Sequence, residues 1–527
     1  MLQANRGKVL KKPARAPGYV SPNQLSLCGF ETPFEQALTT ENRWVRLSKL
    51  LPWDKIVSQY DKIFRSSEGR QPINGRIVIG AVIIKHMLKL SDRETIQQIQ
   101  ENMFMQYFLG YSSFTNEAPF DASLFVDIRE RLSLEVMNNI NEIVIAHHPI
   151  AIGFDKSVSA AQATTFDEDK KDPDQPSANQ PGVTTETQQS QPIVTHKGKL
   201  LIDATVAPQN ITFPTDLKLL NAAREKSEEL IDRLYHKGLH GDVKPRTYRS
   251  VARKEFLDTA KKKNKTAKQL YKANGKQVRF LKRNLAHIEW LLKEYARFPL
   301  THKEQKYLMV LHLVYDQQNQ MHTTRTHRID DRIVNSHQPH VRPIKRGKDG
   351  KKVEFGSKLQ VSLKDGFALI DRLSWDSFNE GSCLQQSVTL YRQRFGYYPE
   401  AVLADKIYCT RENRKTLKEL GIELRAKPLG RPSKLALQNQ VSPGERNPIE
   451  GKFGQAKAGY NMECIKAKLR TTSESWIASI ILVLNLVNLT RLALYCLRQI
   501  RELFANWTEI FMLLFIGNFG RLKSRMS

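Results

Sequence analysis

Cysteine is scarce in this chain and follows no pattern. The five cysteines are odd in number and scattered, and no Cys-x-x-Cys or Cys/His spacing occurs, which argues against a disulfide framework and a zinc site. A Gly-x-x-x-x-Gly-Lys loop is also lacking, so nothing predicts hydrolysis of a nucleoside triphosphate. The sequence offers no Ser/His pair and no thiol nucleophile that would indicate a covalent catalytic route. With no signal peptide or lipidation motif either, we expect a cytoplasmic protein.

Acidic residues are few relative to basic ones. The 527 residues include 54 Asp and Glu against 82 Lys and Arg, which gives a formal net charge of +28. Such an excess favours polyanionic partners, most often nucleic acid, with a cationic membrane-surface protein as the alternative. The length allows two or three domains and a large core.

One long apolar run, residues 476–497, raises the question of a membrane span. Asn485, Asn488 and Arg491 interrupt it at helical spacing, which favours a buried core helix and no membrane partner. A later apolar run, 511–516, is too short to span a bilayer and predicts a docked terminal helix or a partner surface.

Composition and periodicity predict several regions. The N-terminal block is helical, and its predicted helix 75–90 is followed by a capping box of Ser91 and Glu94. This pair of helices is either a helix-turn-helix or an ordinary helical hairpin. The regions are a basic flexible arm (1–40), a helical domain (41–160), a disordered linker (161–195), a mixed α/β domain (196–500) and an apolar C-terminal segment (501–527).

The second domain mixes strand and helix signals. An apolar strand at 199–208 holds Asp203 in its middle, and a helical pattern runs from residue 216 to about residue 315. The remaining predictions are a paired strand at 211–215, a hairpin of 352–362 and 366–371, a helix at 384–394, a strand at 400–405, a helix at 411–420 and a strand at 422–426.

The helical stretch contains an unusually basic segment. Residues 244–283 hold fifteen Lys or Arg against two acids, with Tyr248, Tyr271 and Phe280 interleaved. A basic helical face is usually just solvated, but this imbalance favours contact with phosphates. The densest cluster comprises Lys261, Lys262, Lys263 and Lys265.

Three carboxylates are candidates for a metal site. Asp203 lies in mid-strand, where an unpaired buried carboxylate is costly, whereas Asp405 ends a strand and could simply cap the next turn. Glu450 could form a capping box with Asn447, with Pro448 at the first helical position. Brought together, the three carboxylates could hold two Mg²⁺ or Mn²⁺ ions about 4 Å apart.

Two histidines could be mistaken for metal ligands. His337 and His340 flank Pro339, but no third nitrogen or sulfur ligand lies nearby in the sequence. We interpret them as packing residues or phosphate contacts.

These residues resemble the DDE transposases of bacterial insertion sequences, and more narrowly the insertion-sequence-five-like branch. The family's third motif is Tyr-x2-Arg-x3-Glu-x6-Lys, and Arg446, Glu450 and Lys457 match its spacing, while Pro443 stands at the tyrosine position. The stretch Leu-Ile-Asp-Ala-Thr at 201–205 is similar to the first-aspartate strand. Further similarities are Ala-Asp-Lys-Ile-Tyr at 404–408, the segment 332–343 and Gly-Arg-Pro at 430–432.

The resemblance implies an α/β, ribonuclease H-like catalytic core with a large basic helical insertion at about 217–335, preceded by an all-α N-terminal domain. It implies that Asp203, Asp405 and Glu450 bind two Mg²⁺ or Mn²⁺ ions. It also implies DNA contacts by Arg446, Lys452 and Lys457, and it places Tyr408 near the second aspartate and the DNA. The expected partners are terminal inverted repeats, target DNA and further copies of the chain, in a bacterial, nucleoid-associated setting.

Three functions follow as hypotheses. The first is a transposase that cuts at element ends and joins the freed 3′-hydroxyl to target DNA. The second is a nuclease that uses the same two-metal site without joining ends. The third is a non-catalytic DNA-binding protein derived from a transposase.

Overall fold

The computed structural model describes residues 38–64, 72–147, 196–345, 353–427 and 443–523. The predicted linker at 161–195, and the predicted arm apart from its last three residues, lie outside these ranges. The N-terminal helices are α1 (Arg43–Leu50), α2 (Trp53–Asp61), α3 (Gly75–Leu88), α4 (Asp92–Glu101), α5 (Met103–Leu109), α6 (Phe125–Arg131) and α7 (Leu134–His147).

Helix α3 forms the centre of the N-terminal block. Its residues from Gly75 to His86 are all buried, which explains an almost wholly apolar sequence with little amphipathic character. The predicted capping box is confirmed: the Ser91 hydroxyl accepts from the Glu94 N–H, and the Glu94 carboxylate accepts from the Ser91 N–H.

The structure favours the helical-hairpin interpretation of α3 and α4. The first turn of helix α4 contains two acidic residues, Asp92 and Glu94, and Asp92 is bound by the buried cations Lys85, at 2.9 Å, and Arg129, at 2.8 Å. The N-terminal residues of a recognition helix contact base edges, whereas at this end Asp92 is bound by two cations of the block and Glu94 adds a second negative charge.

A six-stranded sheet forms the second domain. Its path runs β2-β3-β1-β5-β6, with β4 also paired to β3. Strands β1, β3 and β4 are antiparallel neighbours, while β1, β5 and β6 run parallel. The strands are β1 (Lys199–Pro208), β2 (Arg342–Lys345), β3 (Val353–Lys364), β4 (Phe367–Ser374), β5 (Ala401–Leu403) and β6 (Glu423–Arg425).

Most of the predicted strands and helices are present. The β3–β4 hairpin turns at Asp365 and Gly366, whose φ values of 51° and 81° are those of a two-residue hairpin turn. The helices that flank the parallel strands are α13 (Leu384–Phe395) and α14 (Arg411–Glu419), close to their predicted bounds.

The predicted strand at 211–215 is wrong. These residues form a loop that ends at Thr215, whose hydroxyl caps the next helix by accepting from the Lys218 N–H. Both edges of β1 are already occupied, by β3 on one side and β5 on the other, so a hairpin partner for β1 has no free edge to pair with.

The basic helices are inserted between β1 and β2. They bury their own apolar cluster, which includes Leu220, Leu281, Ile288 and Leu311, whereas a second, larger cluster joins the N-terminal helices to the sheet. The inserted helices are α8 (Asp216–Leu234), α9 (Lys237–His240), α10 (Arg249–Ala260), α11 (Ala267–Lys293) and α12 (His302–Thr324).

Two helices end the described chain. Helix α15 (Pro443–Gly454) continues into a π-helical turn, Gln455–Gly459, and α16 spans Arg470–Lys523. Within α16, Arg470–Tyr495 is long and apolar enough to cross a membrane, but 67% of its most apolar stretch is buried within the protein. That burial agrees with the core-helix interpretation. The run 511–516 lies in the same helix, beyond the described side chains.

Asn485 of α16 joins three parts of the structure. It is fully buried, its carbonyl oxygen accepts from the Ala368 N–H at 2.8 Å, and its amide donates to the Ala368 carbonyl and to Asn141. The interrupting asparagine of the apolar run therefore binds β4 and α7 to α16 inside the core.

We predict that Asn485→Ala lowers the melting temperature. The change removes the Asn485 partner of the Ala368 N–H and of the Asn141 side-chain oxygen in the core, which costs about 1–3 kcal/mol. Thermal unfolding followed by circular dichroism measures the effect, with Asn319→Ala at an exposed position of α12 as the control. Equal melting temperatures for the two variants would contradict this role for Asn485.

Candidate active site

The first two predicted carboxylates lie on neighbouring parallel strands. Asp203 is in the middle of β1 with its side chain 18% exposed, and Asp405 follows β5 with its side chain 47% exposed. The Asp203 carboxylate accepts from the Ala204 N–H at 2.8 Å. Asp405 accepts from the Lys406 N–H and caps the short turn Lys406–Tyr408, so the predicted capping role is also present.

Arg446 bridges the two aspartates. Its guanidinium Nη2 lies 3.3 Å from Asp203 Oδ2, and Nη1 lies 3.4 Å from Asp405 Oδ1. Arg446 and Asp203 are 243 positions apart in the chain, so only the folded sheet and α15 bring them together. The single positive charge of the guanidinium reduces the repulsion between the two carboxylates.

The environment of Asp203 disfavours its charged form. Burial raises the pKa of Asp203 to about 6, and the negative charges of Glu380 and Asp405 add to the rise. The Ala204 N–H and the Arg446 guanidinium act in the opposite direction, but they do not cancel the effect of burial. A buried carboxylate of this kind, in contact with a cation, is a candidate functional group.

Glu380 is a further carboxylate of this region that the sequence reasoning missed. It begins the short turn Glu380–Cys383 before α13 and forms an ion pair with Lys358 at 2.9 Å. Lys358 is buried on β3 and also donates to the Phe378 carbonyl. The one sequence signal was a lysine within a buried strand, which requires an acidic partner.

Tyr408 lies close to the second aspartate, but it is fully buried. Its hydroxyl donates to Gln360 of β3 at 2.9 Å, and burial raises the pKa of this phenol. The predicted DNA contact by Tyr408 is therefore not possible in this conformation. The side chain instead anchors the turn that carries Asp405 to the sheet.

Glu450 is not assembled with the two aspartates. It is exposed on α15, and in the described part of the chain no three Asp, Glu, His or Cys side chains lie close enough together to hold a metal ion. The alternative capping role is wrong, because α15 begins at Pro443 and Asn447 lies inside it. Pro443 takes the helix-starting position that the sequence reasoning gave to Pro448.

The predicted basic residues near Glu450 are partly buried. Lys452 lies in a cavity where burial, and next the charge of Arg491, lower its pKa to about 8. Lys457 lies in the π-helical turn that follows α15, so the chain between Glu450 and Lys457 is not a regular α-helix throughout.

The basic helices present cations to solvent. Lys261, Lys262, Lys263 and Lys265 are all exposed between α10 and α11. Nearby in the sequence, the Arg283 guanidinium lies over the half-exposed ring of Tyr248 at 4.4 Å. Such a surface has the charge and aromatic groups that contact a nucleic-acid backbone.

The structure places the two histidines differently: His340 has the predicted packing role, whereas His337 is exposed. The His337 ring is hydrogen-bonded to the Tyr307 hydroxyl at 2.9 Å. His340 packs edge-on against Trp375 at 4.4 Å, and burial lowers its pKa to about 4.

We predict that Asp203→Asn stabilises the protein at neutral pH relative to the parent chain. The folded pKa of about 6 lies above the ordinary value of 3.8. Folding therefore favours the protonated carboxyl, and its contribution is complete below about pH 4 and is lost as the pH rises through 6. Two pKa units correspond to about 3 kcal/mol.

Melting temperatures between pH 4.5 and 7.5, measured without divalent ions, test this prediction. The difference between Asp203→Asn and the parent should grow with pH and level off above pH 6.5. Asp258→Asn makes the same chemical change at an exposed position and serves as the control. A difference that does not vary with pH would contradict the raised pKa.

Two family models match parts of the chain. The model described as Transposase domain (DUF772) matches residues 32–131, and the model described as Transposase DDE domain matches residues 402–487. The second match contains Asp405, Glu450 and Lys457 and begins after Asp203. The first covers most of the N-terminal helical block.

A curated relative adds a partial match. The uncharacterized protein ORF8 in the nfe locus of Rhizobium meliloti is 30% identical over 103 residues, which is 20% of this chain and 49% of that protein. The chain therefore spans about half the length of this relative. No solved structure matches the chain. Together, the two matched domains indicate a transposase of the DDE type.

Proposed function

We propose that this protein cuts DNA at the ends of an insertion sequence and joins the freed 3′-hydroxyl to target DNA. The observation that carries the proposal is the pair of aspartates, Asp203 and Asp405, which meet across Arg446 on neighbouring strands. The spacing of Arg446, Glu450 and Lys457 supports the insertion-sequence-five-like branch. Across the sheet, the antiparallel strands β4, β3 and β1 are followed by β5 and β6, which run parallel to β1. This order supports a ribonuclease H-like core.

The aspartate pair suits a hard divalent cation. Both groups offer carboxylate oxygens, the ligands that Mg²⁺ and Mn²⁺ prefer, and a positive guanidinium now lies between them. Asp203, Asp405 and Glu450 are the residues that would hold the ions. When bound, two such ions activate the attacking oxygen and stabilise the leaving oxygen at phosphorus.

Helix α15 carries both Arg446 and Glu450, and its position decides which of the two side chains meets the aspartate pair. Arg446 and Glu450 are four residues apart in this helix, so they lie on the same face, one turn from each other. In the structure Arg446 contacts the carboxylates of both aspartates, and Glu450 is exposed to solvent. Movement of α15 along its axis by about one turn, roughly 5 Å, would exchange the two side chains.

After such a movement, Arg446 would be free to contact a DNA phosphate. A guanidinium can bind a phosphate through two parallel hydrogen bonds, as it now binds carboxylates. DNA binding and assembly of the three carboxylates would then be coupled, because one helix carries both groups. This coupling would prevent hydrolysis before DNA is in place.

The basic helical insertion is proposed to hold transposon-end or target DNA. Its cluster of exposed lysines, and Arg283 with Tyr248, form a surface on a body with its own core. Neutralised phosphates release counterions, which makes such binding strongly dependent on salt. We further propose that copies of the chain act together on paired ends.

Two alternatives lead to different experimental outcomes. A nuclease with the same site would cut DNA but would not join pre-cleaved ends to a target. A non-catalytic DNA-binding protein would do neither. A strand-transfer assay with pre-cleaved ends separates the transposase from both alternatives, and a cleavage assay on uncut ends separates the nuclease from the non-catalytic protein.

We predict that Asp203→Ala and Glu450→Gln abolish excision but leave DNA affinity within a few-fold of the parent. Loss of an electrostatic group at a catalytic site lowers the rate by at least roughly a hundredfold. The measurement uses a plasmid that carries the coding gene with its flanking DNA, with Mg²⁺ present, and filter binding for affinity. Asp376→Asn, at an exposed position, is the control.

Excision by Asp203→Ala at the parental rate would refute the catalytic assignment. Loss of excision in Asp203→Ala but not in Glu450→Gln would remove Glu450 from the site and leave the aspartates in place. Equal loss in both, with retained DNA affinity, is the expected result.

We predict that replacing Lys261, Lys262, Lys263 and Lys265 with Gln weakens DNA binding and flattens its salt dependence. Each lysine that no longer neutralises a phosphate lowers the slope of log K against log salt by about 0.9. The matched control replaces four exposed lysines elsewhere, namely Lys55, Lys62, Lys415 and Lys418. Equal slopes for the two quadruple variants would mean that the inserted helices do not meet DNA.

A further inference from the structure

A cavity of about 260 Å³ lies beside Glu450, between α15, α16 and the β3–β4 turn. Helix α15 contributes Gly451 and Lys452, α16 contributes Asn488 and Arg491, and the turn contributes Gly366. The cavity is separate from the aspartate pair and from the basic insertion. Gly451, which lines the cavity, directly follows Glu450 in the chain.

The charges of the cavity are uncompensated. Lys452 and Arg491 line the same cavity from two different helices, α15 and α16. No acidic residue is present among the described residues that line the cavity. Two cations beside each other in a partly buried site are unfavourable without an anion. The arrangement therefore calls for a negatively charged ligand.

Asn488 supplies an unsatisfied donor at the same place. Its side chain is only 5% exposed, and its amide nitrogen has no hydrogen-bond partner. The Asn488 carbonyl oxygen accepts from Arg491 at 3.4 Å, which fixes the amide group with its N–H₂ on the other side. A buried amide donor without an acceptor costs about 1–3 kcal/mol, and an anion in the cavity would remove that cost.

Gly451 leaves the wall of the cavity bare. A glycine inside a helix costs about 0.5–1 kcal/mol relative to alanine. A Cβ at this position would meet nothing within 4 Å, so packing within the protein does not require a glycine here. The absence of a side chain lets a ligand approach the helix backbone between Glu450 and Lys452.

We propose that this cavity binds one phosphodiester group of DNA through Lys452, Arg491 and the amide of Asn488. This inference rests on the proposed function and extends it, because it names a backbone contact beside the third catalytic carboxylate. A phosphate held here would fix the strand relative to Glu450 and would draw α15 and α16 onto the same nucleotide. The contact reads no sequence, since it involves the backbone alone.

Chemical protection of Lys452 tests the proposal on the unaltered protein. The full chain is acetylated at neutral pH under three conditions. It is alone, with a 30-base-pair duplex, or with inorganic phosphate at the concentration of phosphate groups that the duplex supplies. Mass spectrometry then gives the rate of modification of each lysine. We expect the duplex to slow acetylation of Lys452 at least fivefold and to leave Lys415, which is 79% exposed on α14, unchanged.

The salt dependence of duplex binding gives a second readout. Lys452 and Arg491 are proposed to hold the same phosphate. The double variant Lys452→Gln with Arg491→Gln should therefore lower the slope of log K against log salt by about 0.9, the value for one phosphate contact, rather than by twice that amount. Gly451→Ala should keep or raise the melting temperature while it weakens duplex binding about tenfold. Lys415→Gln with Lys418→Gln is the control for the change in charge.

The outcomes separate this inference from the proposed function. If the parent binds the duplex but Lys452 is not protected and the double variant keeps the parental slope, the cavity does not hold DNA, and the transposase proposal stands. Protection by inorganic phosphate but not by the duplex would assign the cavity to a free anion and overturn the proposal. Failure of the parent to bind any duplex would overturn both.

Discussion

The repulsion between two carboxylates that the sheet brings together governs the arrangement of this site. Asp203 and Asp405 come from neighbouring parallel strands, and Arg446 lies between them with a guanidinium nitrogen near each. The guanidinium and one backbone N–H only partly offset burial, so the pKa of Asp203 still rises to about 6. A site with this balance favours a bound cation, and in the structure that cation is the Arg446 guanidinium. The function proposed here depends on exchange of this guanidinium for metal ions.

The rest of the fold keeps those strands and α15 in place. Asn485 joins α16 to β4 and α7 through buried hydrogen bonds. Arg394 of α13 adds ion pairs with Asp371 of β4, at 2.5 Å, and with Glu142 of α7, at 2.8 Å. The N-terminal helices are therefore bound to the sheet by polar groups as well as by a shared apolar core. Breaking one partner of such a buried pair is costly, so the two regions are expected to unfold together.

Much of the fold could be predicted from local sequence signals. The strand around Asp203, the β3–β4 hairpin and the capping box at Ser91 follow from apolar periodicity, turn residues and caps, which act over a few positions. The strand at 211–215 could not be excluded locally, because its absence depends on β3 and β5 occupying both edges of β1. The start of α15 was misplaced because Pro443 and Pro448 are both acceptable helix starters, and only the folded chain distinguishes them.

The site, like the fold, could be predicted only where local sequence signals determine it. Spacing and resemblance identified Asp203, Asp405 and Arg446, and the structure brings these three together. Glu380 was missed because it lies in a polar turn, and its partner Lys358 is recognisable only once β3 is known to be buried. The burial of Tyr408 and the exposure of Glu450 depend on how the Lys406–Tyr408 turn and α15 pack, which no motif encodes.

The central proposal is that the aspartate pair holds metal ions and that the Arg446 guanidinium leaves the two carboxylates when they are bound. A crystal structure of the protein with Mn²⁺, examined by anomalous scattering, tests it most directly. The account predicts an anomalous manganese peak within direct coordination distance of oxygens of Asp203 and Asp405, with the Arg446 guanidinium displaced from both. A protein saturated with Mn²⁺ in which Arg446 still bridges the aspartates, with no anomalous peak beside them, would contradict it.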